Sequence, residues 1–121
     1  MDDRISTSEP SFTCTAVRHH PGGTLVAVAN VSSLVRLAET AGAEVVSTYG
    51  TSCCRRDTEA VHELLGLPLL DDRAVVPLTL LRQLQVTFAD AAACSPDRNL
   101  GRRFAAAALL VDQVVDRAAR A

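Results

Sequence analysis

Lysine and tryptophan are absent from this 121-residue sequence, aromatic residues amount to 3%, and long uninterrupted apolar runs are missing. Each absence excludes something. A membrane-spanning helix needs about 20 consecutive apolar residues, so none is expected. Phe12, Tyr49, Phe88 and Phe104 are the only aromatic side chains, too few for the stacking platforms that bind single-stranded nucleic acid, and they leave the core to aliphatic residues. All 12 cations are arginine. Beside abundant Ala, Val and Leu, this reads as coding bias, so arginine number alone carries little functional weight. Charge of one sign is not in excess either. Twelve cations face 14 acids, for a net charge of −2 and a pI of about 5.8. The modest shift from an acidic first two thirds to a basic last third falls short of a nucleic-acid footprint, and nucleic acid is not an expected partner.

What is present is a globular composition, with 48% hydrophobic and 21% charged residues and a mean hydropathy of +0.16. That length and composition predict one domain over residues 11–121, preceded by a polar arm over 1–10 that ends in Pro10. The first residues, Met1-Asp2-Asp3-Arg4-Ile5-Ser6, lack the apolar core of a secretory signal, which points to the cytoplasm. Cys14, Cys53, Cys54 and Cys94 form one adjacent pair and two singletons. Such spacing is no disulfide framework, and thiols are expected.

Phe12–Arg18 and Thr24–Ala29 flank the breaker Pro21-Gly22-Gly23 and predict a hairpin. Ser32 or Ser33 is placed to cap a helix carrying Leu34, Leu37, Ala38 and Ala41 on one face, with Gly42 as its stop. A strand is then expected over Ala43–Tyr49. Asp57 or Thr58 would cap a short helix with Ala60, Val61, Leu64 and Leu65 as its stripe, ending at Gly66-Leu67-Pro68. Ala74-Val75-Val76 predicts a strand stopped by Pro77. The period of Leu78, Leu81, Leu84, Phe88 and Ala91 predicts a helix, although residues 83–88 also alternate as a strand would. Ser95-Pro96-Asp97 supplies an N-cap, a first-turn proline and an acid, opening a long terminal helix over about 96–120. The expected architecture is therefore a small α/β fold, order β-β-α-β-α-β-α-α, with a mixed and partly parallel sheet of about four strands under a long C-terminal helix.

The terminal helix carries a seam, Leu100, Phe104, Ala107, Val111, Val114 and Ala118, with Leu109 outside it. This seam would cover the sheet or meet another chain. Leu100, Phe104, Val111 and Val114 are the candidate interface residues, and removing the chain after Ser95 is expected to abolish partner contact. The segment Gly50–Thr58 is the candidate chemical site, because it is expected to leave the carboxyl end of a strand and enter a helix N-terminus. There Arg55 and Arg56 would clamp a phosphate or carboxylate, with Thr51 and Ser52 as further ligand contacts. The same arginines would activate Cys53 or Cys54, the nucleophiles if the protein is an enzyme. Neither a Walker A loop nor a G-x-G-x-x-G or C-x₅-R signature is present.

His19, His20, His62 and the four cysteines lack the ligand spacing of a zinc site, and no metal is expected. His20-Pro21-Gly22-Gly23 resembles the haem-binding signature of cytochrome b5. The second axial histidine and aromatic pocket that such a resemblance implies have no counterpart, so no haem or other cofactor is expected. Phe12–Ala29 resembles the opening hairpin of STAS domains, the anti-sigma-factor antagonists. Ala60-Val61-His62-Glu63-Leu64-Leu65-Gly66-Leu67 is similar to the helix before a late Gly-Leu in that family. Together these segments cover under half the chain. In place of the family's phosphorylated Asp-Ser-Ser-Gly stands Tyr49-Gly50-Thr51-Ser52, so the resemblance would place that role on Thr51 or Ser52. The function expected from the sequence is non-catalytic: a small regulatory or assembly protein that works by contact with a protein partner or by homo-oligomerisation. A small enzyme or anion-binding protein using the 50–58 loop is the alternative.

Overall fold

A computed structural model describes residues 12–50 and 54–120. Among them the chain runs β1 (Thr13–His20), β2 (Gly23–Ala29), α1 (Val31–Tyr49), α2 (Arg55–Leu65), β3 (Arg73–Pro77), α3 (Leu78–Cys94) and α4 (Arg98–Arg120). It is a small α/β fold with a long C-terminal helix, as the sequence predicts. The expected arm over residues 1–10 lies outside the described residues.

The β1–β2 hairpin turns through Pro21-Gly22, with His20 paired to Gly23. Gly23 sits at φ +136°, a conformation that residues with a Cβ rarely adopt. A register shift between Cys14 and Ala16 marks a bulge at Thr15. The bulge lets Cys14 and Val17, three residues apart, both join the inner face of a strand whose ordinary period is two. β3 then pairs antiparallel with β2, giving the order β1-β2-β3. Rows Val17–Val26–Val76 and Cys14–Val28–Ala74 face the core, where Val26, Val28, Ala74 and Val76 are buried.

Two expectations fail here together. Ala43–Tyr49 is not a strand but the second half of α1, and the sheet is antiparallel rather than mixed. Val45 continues the buried stripe of Leu34, Leu37, Ala38 and Ala41 at helical spacing, so packing overrides the β preference of Val, Thr and Tyr. Gly42, expected as a stop, lies inside the helix. A Cβ there would come within 3.3 Å of the Val61 side chain, so the missing side chain lets α2 approach α1. Without a central strand to follow, the α1–α2 pair simply returns the chain to β3.

α3 is the hub of the molecule, packing against the sheet, α1, α2 and α4. It buries Leu80, Leu81, Leu84, Thr87, Phe88 and Ala91. Val86 is turned outward, which settles residues 83–88 as helix, since a strand would put Val86 on the same face as Leu84 and Phe88. The α4 seam packs on α3. Phe104, Ala107, Val111, Val114 and Ala118 are buried there, and Leu109 is exposed on the far side.

The helix starts differ from the sequence expectations in an instructive way. At α4 the cap is Asp97, not Ser95: its carboxylate accepts from Leu100 N at 3.2 Å, while Ser95 terminates α3. α2 begins at Arg55, which moves Asp57 from cap to third residue. At α1 neither Ser32 nor Ser33 supplies a capping oxygen. Asn30 is the N-cap residue, in the left-handed region at φ 56°, and the carboxylate comes from Asp72, 40 residues away. Asp72 accepts from Ser32 N at 2.7 Å and from the Ser32 hydroxyl at 3.0 Å, and its carbonyl accepts from Val31 N at 3.0 Å. Asp71 and Asp72 form a two-residue turn with φ of 53° and 57°, closed by reciprocal Leu70–Arg73 backbone hydrogen bonds. Positive φ at both central residues is the mark of a type I′ turn, and aspartate tolerates it better than most side chains.

Candidate functional site

The 50–58 segment connects two helices, so it does not occupy the carboxyl edge of a parallel sheet, where open α/β folds bind ligands. The same fact removes the strand before Tyr49-Gly50-Thr51-Ser52 that the STAS resemblance requires. Thr51, Ser52 and Cys53 lie outside the described residues. Cys54 is 2% exposed, and its thiol donates to the Val45 carbonyl at 3.5 Å. Arg55 and Arg56 are exposed on the first turn of α2.

The next residue, Asp57, turns inward and is 8% exposed. Its carboxylate accepts from the Thr87 hydroxyl at 2.7 Å. Gln83 O lies 3.2 Å from the same hydroxyl, which has only one proton; the shorter, charge-assisted bond takes it. Asp90, one turn further along α3, has its carboxyl pushed above the ordinary range, first by burial and then by the charge of Asp57. Asp57 on α2 and Asp90 on α3 thus lie within electrostatic reach of each other. His62 is exposed, as is His19, whose Nδ1 lies 3.0 Å from Thr24 Oγ1. Among the described residues, no three His, Cys, Asp or Glu side chains converge as metal ligands.

The candidate interface on α4 is taken up within the chain. Phe104, Val111 and Val114 are fully buried against α3, and Leu100 is half-buried. What the seam leaves for a partner is the opposite face, where Leu109 is the exposed large apolar residue. Cys14, on the inner face of β1, is within electrostatic reach of Arg117 near the end of the same helix. Burial raises the Cys14 thiol pKa, and the guanidinium opposes that in part.

A surface that sequence reasoning missed is the outer face of the sheet. No helix covers it. Rows Ala16–Ala27–Val75 and Arg18–Leu25–Pro77 run across all three strands. Val75 is 56% exposed, and Leu70, just before β3, is 77% exposed. Two shallow depressions meet at Ala27 and Val75. One extends towards Arg18 and His20, the other towards Pro68, Leu70 and Asp71. A signal did exist in the sequence: β2 is apolar at Leu25 and Ala27 as well as at Val26 and Val28, and β3 at Val75 as well as at Ala74 and Val76. Strands apolar on both faces are ordinarily covered on both.

No protein-family model, curated protein or solved structure matches this chain. No helix of the described residues is long and apolar enough to cross a membrane.

Proposed function

We propose that this chain is a small regulatory or assembly protein whose partner-binding surface is the outer face of the three-stranded sheet. One observation carries the proposal. β2 and β3 are apolar on both faces, yet among the described residues helices cover only the inner one, which leaves Ala16, Val75 and Leu70 exposed and Leu25 and Ala27 half-buried beside them. Contiguous apolar surface of this kind on a small domain marks a contact site. Cys14 and Cys94 are free thiols, in keeping with work in a reducing compartment such as the cytoplasm. An anion site at Arg55 and Arg56 has less support, because the segment that holds them joins two helices instead of leaving the carboxyl edge of a parallel sheet.

The test is a pair of photo-crosslinking substitutions, one at Thr15 on the sheet side and one at Arg102 on the exposed face of α4, each irradiated in cells. Protein adducts from position 15 that Val75→Lys removes are the expected result. Adducts from position 102 alone, or from neither position, would overturn the proposal.

A further inference from the structure

The outer sheet face bears its own complement. β1 and β3 run in the same direction at opposite edges of the sheet. Arg18 and His20 therefore occupy the corner at the end of β1, and Asp71 the diagonally opposite corner, just ahead of β3. The joined depressions span these corners with an apolar floor at Ala27 and Val75. Among the described residues neither Arg18 nor Asp71 has an ion-pair partner in its own chain. A two-fold axis lying in the plane of contact, perpendicular to the line joining the corners, places Arg18 of each copy over Asp71 of the other. The same rotation stacks the two apolar floors on each other. An interface of this type is isologous, with one patch serving both subunits.

We infer that the occupant of the outer sheet face is a second copy of this chain, seated face to face with two reciprocal Arg18–Asp71 pairs. This rests on the sheet face being the contact surface and adds the identity of the partner. Three strands at about 4.8 Å spacing and about 3.3 Å rise make a face of roughly 14 by 20 Å. That is smaller than the roughly 800 Å² per partner of a standard stable interface, so the dimer is weak and reversible, with micromolar dissociation. Arg73 shares the corner with Asp71 and therefore opposes the approach of Arg18.

Sedimentation equilibrium of the full chain over a concentration series tests this, at low and moderate salt. The wild type should be a monomer–dimer equilibrium that Val75→Lys shifts to monomer. Arg18→Glu should weaken association about tenfold or more, because it sets two carboxylates against each other. Asp71→Lys should do the same, and the double variant should recover to within about threefold of wild type. Asp71→Asn keeps a side chain that tolerates the left-handed turn, and serves if Asp71→Lys does not fold; it should weaken association several-fold. Arg73→Ala should strengthen it about threefold. Added salt should weaken the wild type more than the Asp71→Asn variant. A chain that stays monomeric throughout the series overturns the second copy as occupant, while the sheet face remains open to another protein. A dimer indifferent to Val75→Lys overturns both the dimer geometry and the sheet face as the contact site. A dimer that Val75→Lys breaks but the charge swap does not restore overturns the two-fold arrangement alone.

Discussion

The buried polar pair formed by Thr87 and Asp57 shows how one hydroxyl ties the first turn of α2 to α3. Thr87 is fully buried on α3, and its proton goes to the carboxylate of the third residue of α2. Thr87→Val keeps shape and removes the donor, so it leaves a nearly buried carboxylate short of a partner. It should cost about 2 kcal/mol in denaturant unfolding, within the range for hydrogen bonds to charged groups. A loss below about 0.5 kcal/mol would mean that solvent satisfies Asp57. Asp90 is a different case. A carboxyl whose pKa is higher in the folded than in the unfolded chain binds its proton more tightly in the fold. Its favourable contribution is complete below the ordinary pKa of 3.8 and is lost as pH rises through the raised folded value. Asp90→Asn should therefore raise Tm at pH 7 and make little difference near about pH 3, measured by thermal melts across that interval. An equal gain at both pH values would show that the charge is not its origin. The sequence offered no hint of either role: Asp57 and Asp90 are separated by a loop and a strand, and only the packing of α2 on α3 makes them neighbours.

At the scale of elements, helices were legible where an apolar stripe ran without interruption. α3 and α4 follow the periods of Leu81, Leu84, Phe88 and Ala91 and of Phe104, Ala107, Val111 and Val114, and the hairpin follows Pro21-Gly22-Gly23. α1 was legible only to Gly42. Ala43–Tyr49 combines strand-forming side chains with a helical stripe at Val45, and local propensities cannot choose between them. What decides is α2, which lies against Gly42 through Val61. The start of α1 is equally non-local, since its carboxylate cap arrives from the Asp71-Asp72 turn. Asp72→Ala removes two hydrogen bonds to that start and puts alanine at a positive φ, so it should destabilise the protein by about 2 kcal/mol. Asp72→Asn, which tolerates the turn, should lose less. Equal losses for both, by chemical denaturation, would place the whole effect in the charge rather than in the turn.

Over the whole molecule, the central position of α3 makes the terminal helix part of the core rather than an arm offered to a partner. Deleting the chain after Ser95 would strip the cover from α3 and remove the five buried residues of the α4 seam. The truncated chain should lose its cooperative thermal transition and expose apolar surface to a hydrophobic dye. A truncated protein that still melts sharply would make α4 an appendage and return its seam to the list of possible interfaces. The amino-acid sequence by itself determined the α/β class, the hairpin, the long terminal helix and the division between its apolar seam and Leu109, because each rests on a local period or on a turn residue. Only the tertiary structure decided that Ala43–Tyr49 is helical, that the sheet is an antiparallel meander, that Cys54 is buried and that the α4 seam is spent within the chain. It alone left one sheet face without a helix over it among the described residues. Which apolar surface meets another element is a property of packing between segments distant in sequence, and a pattern read along the chain shows that a face is apolar without showing what covers it.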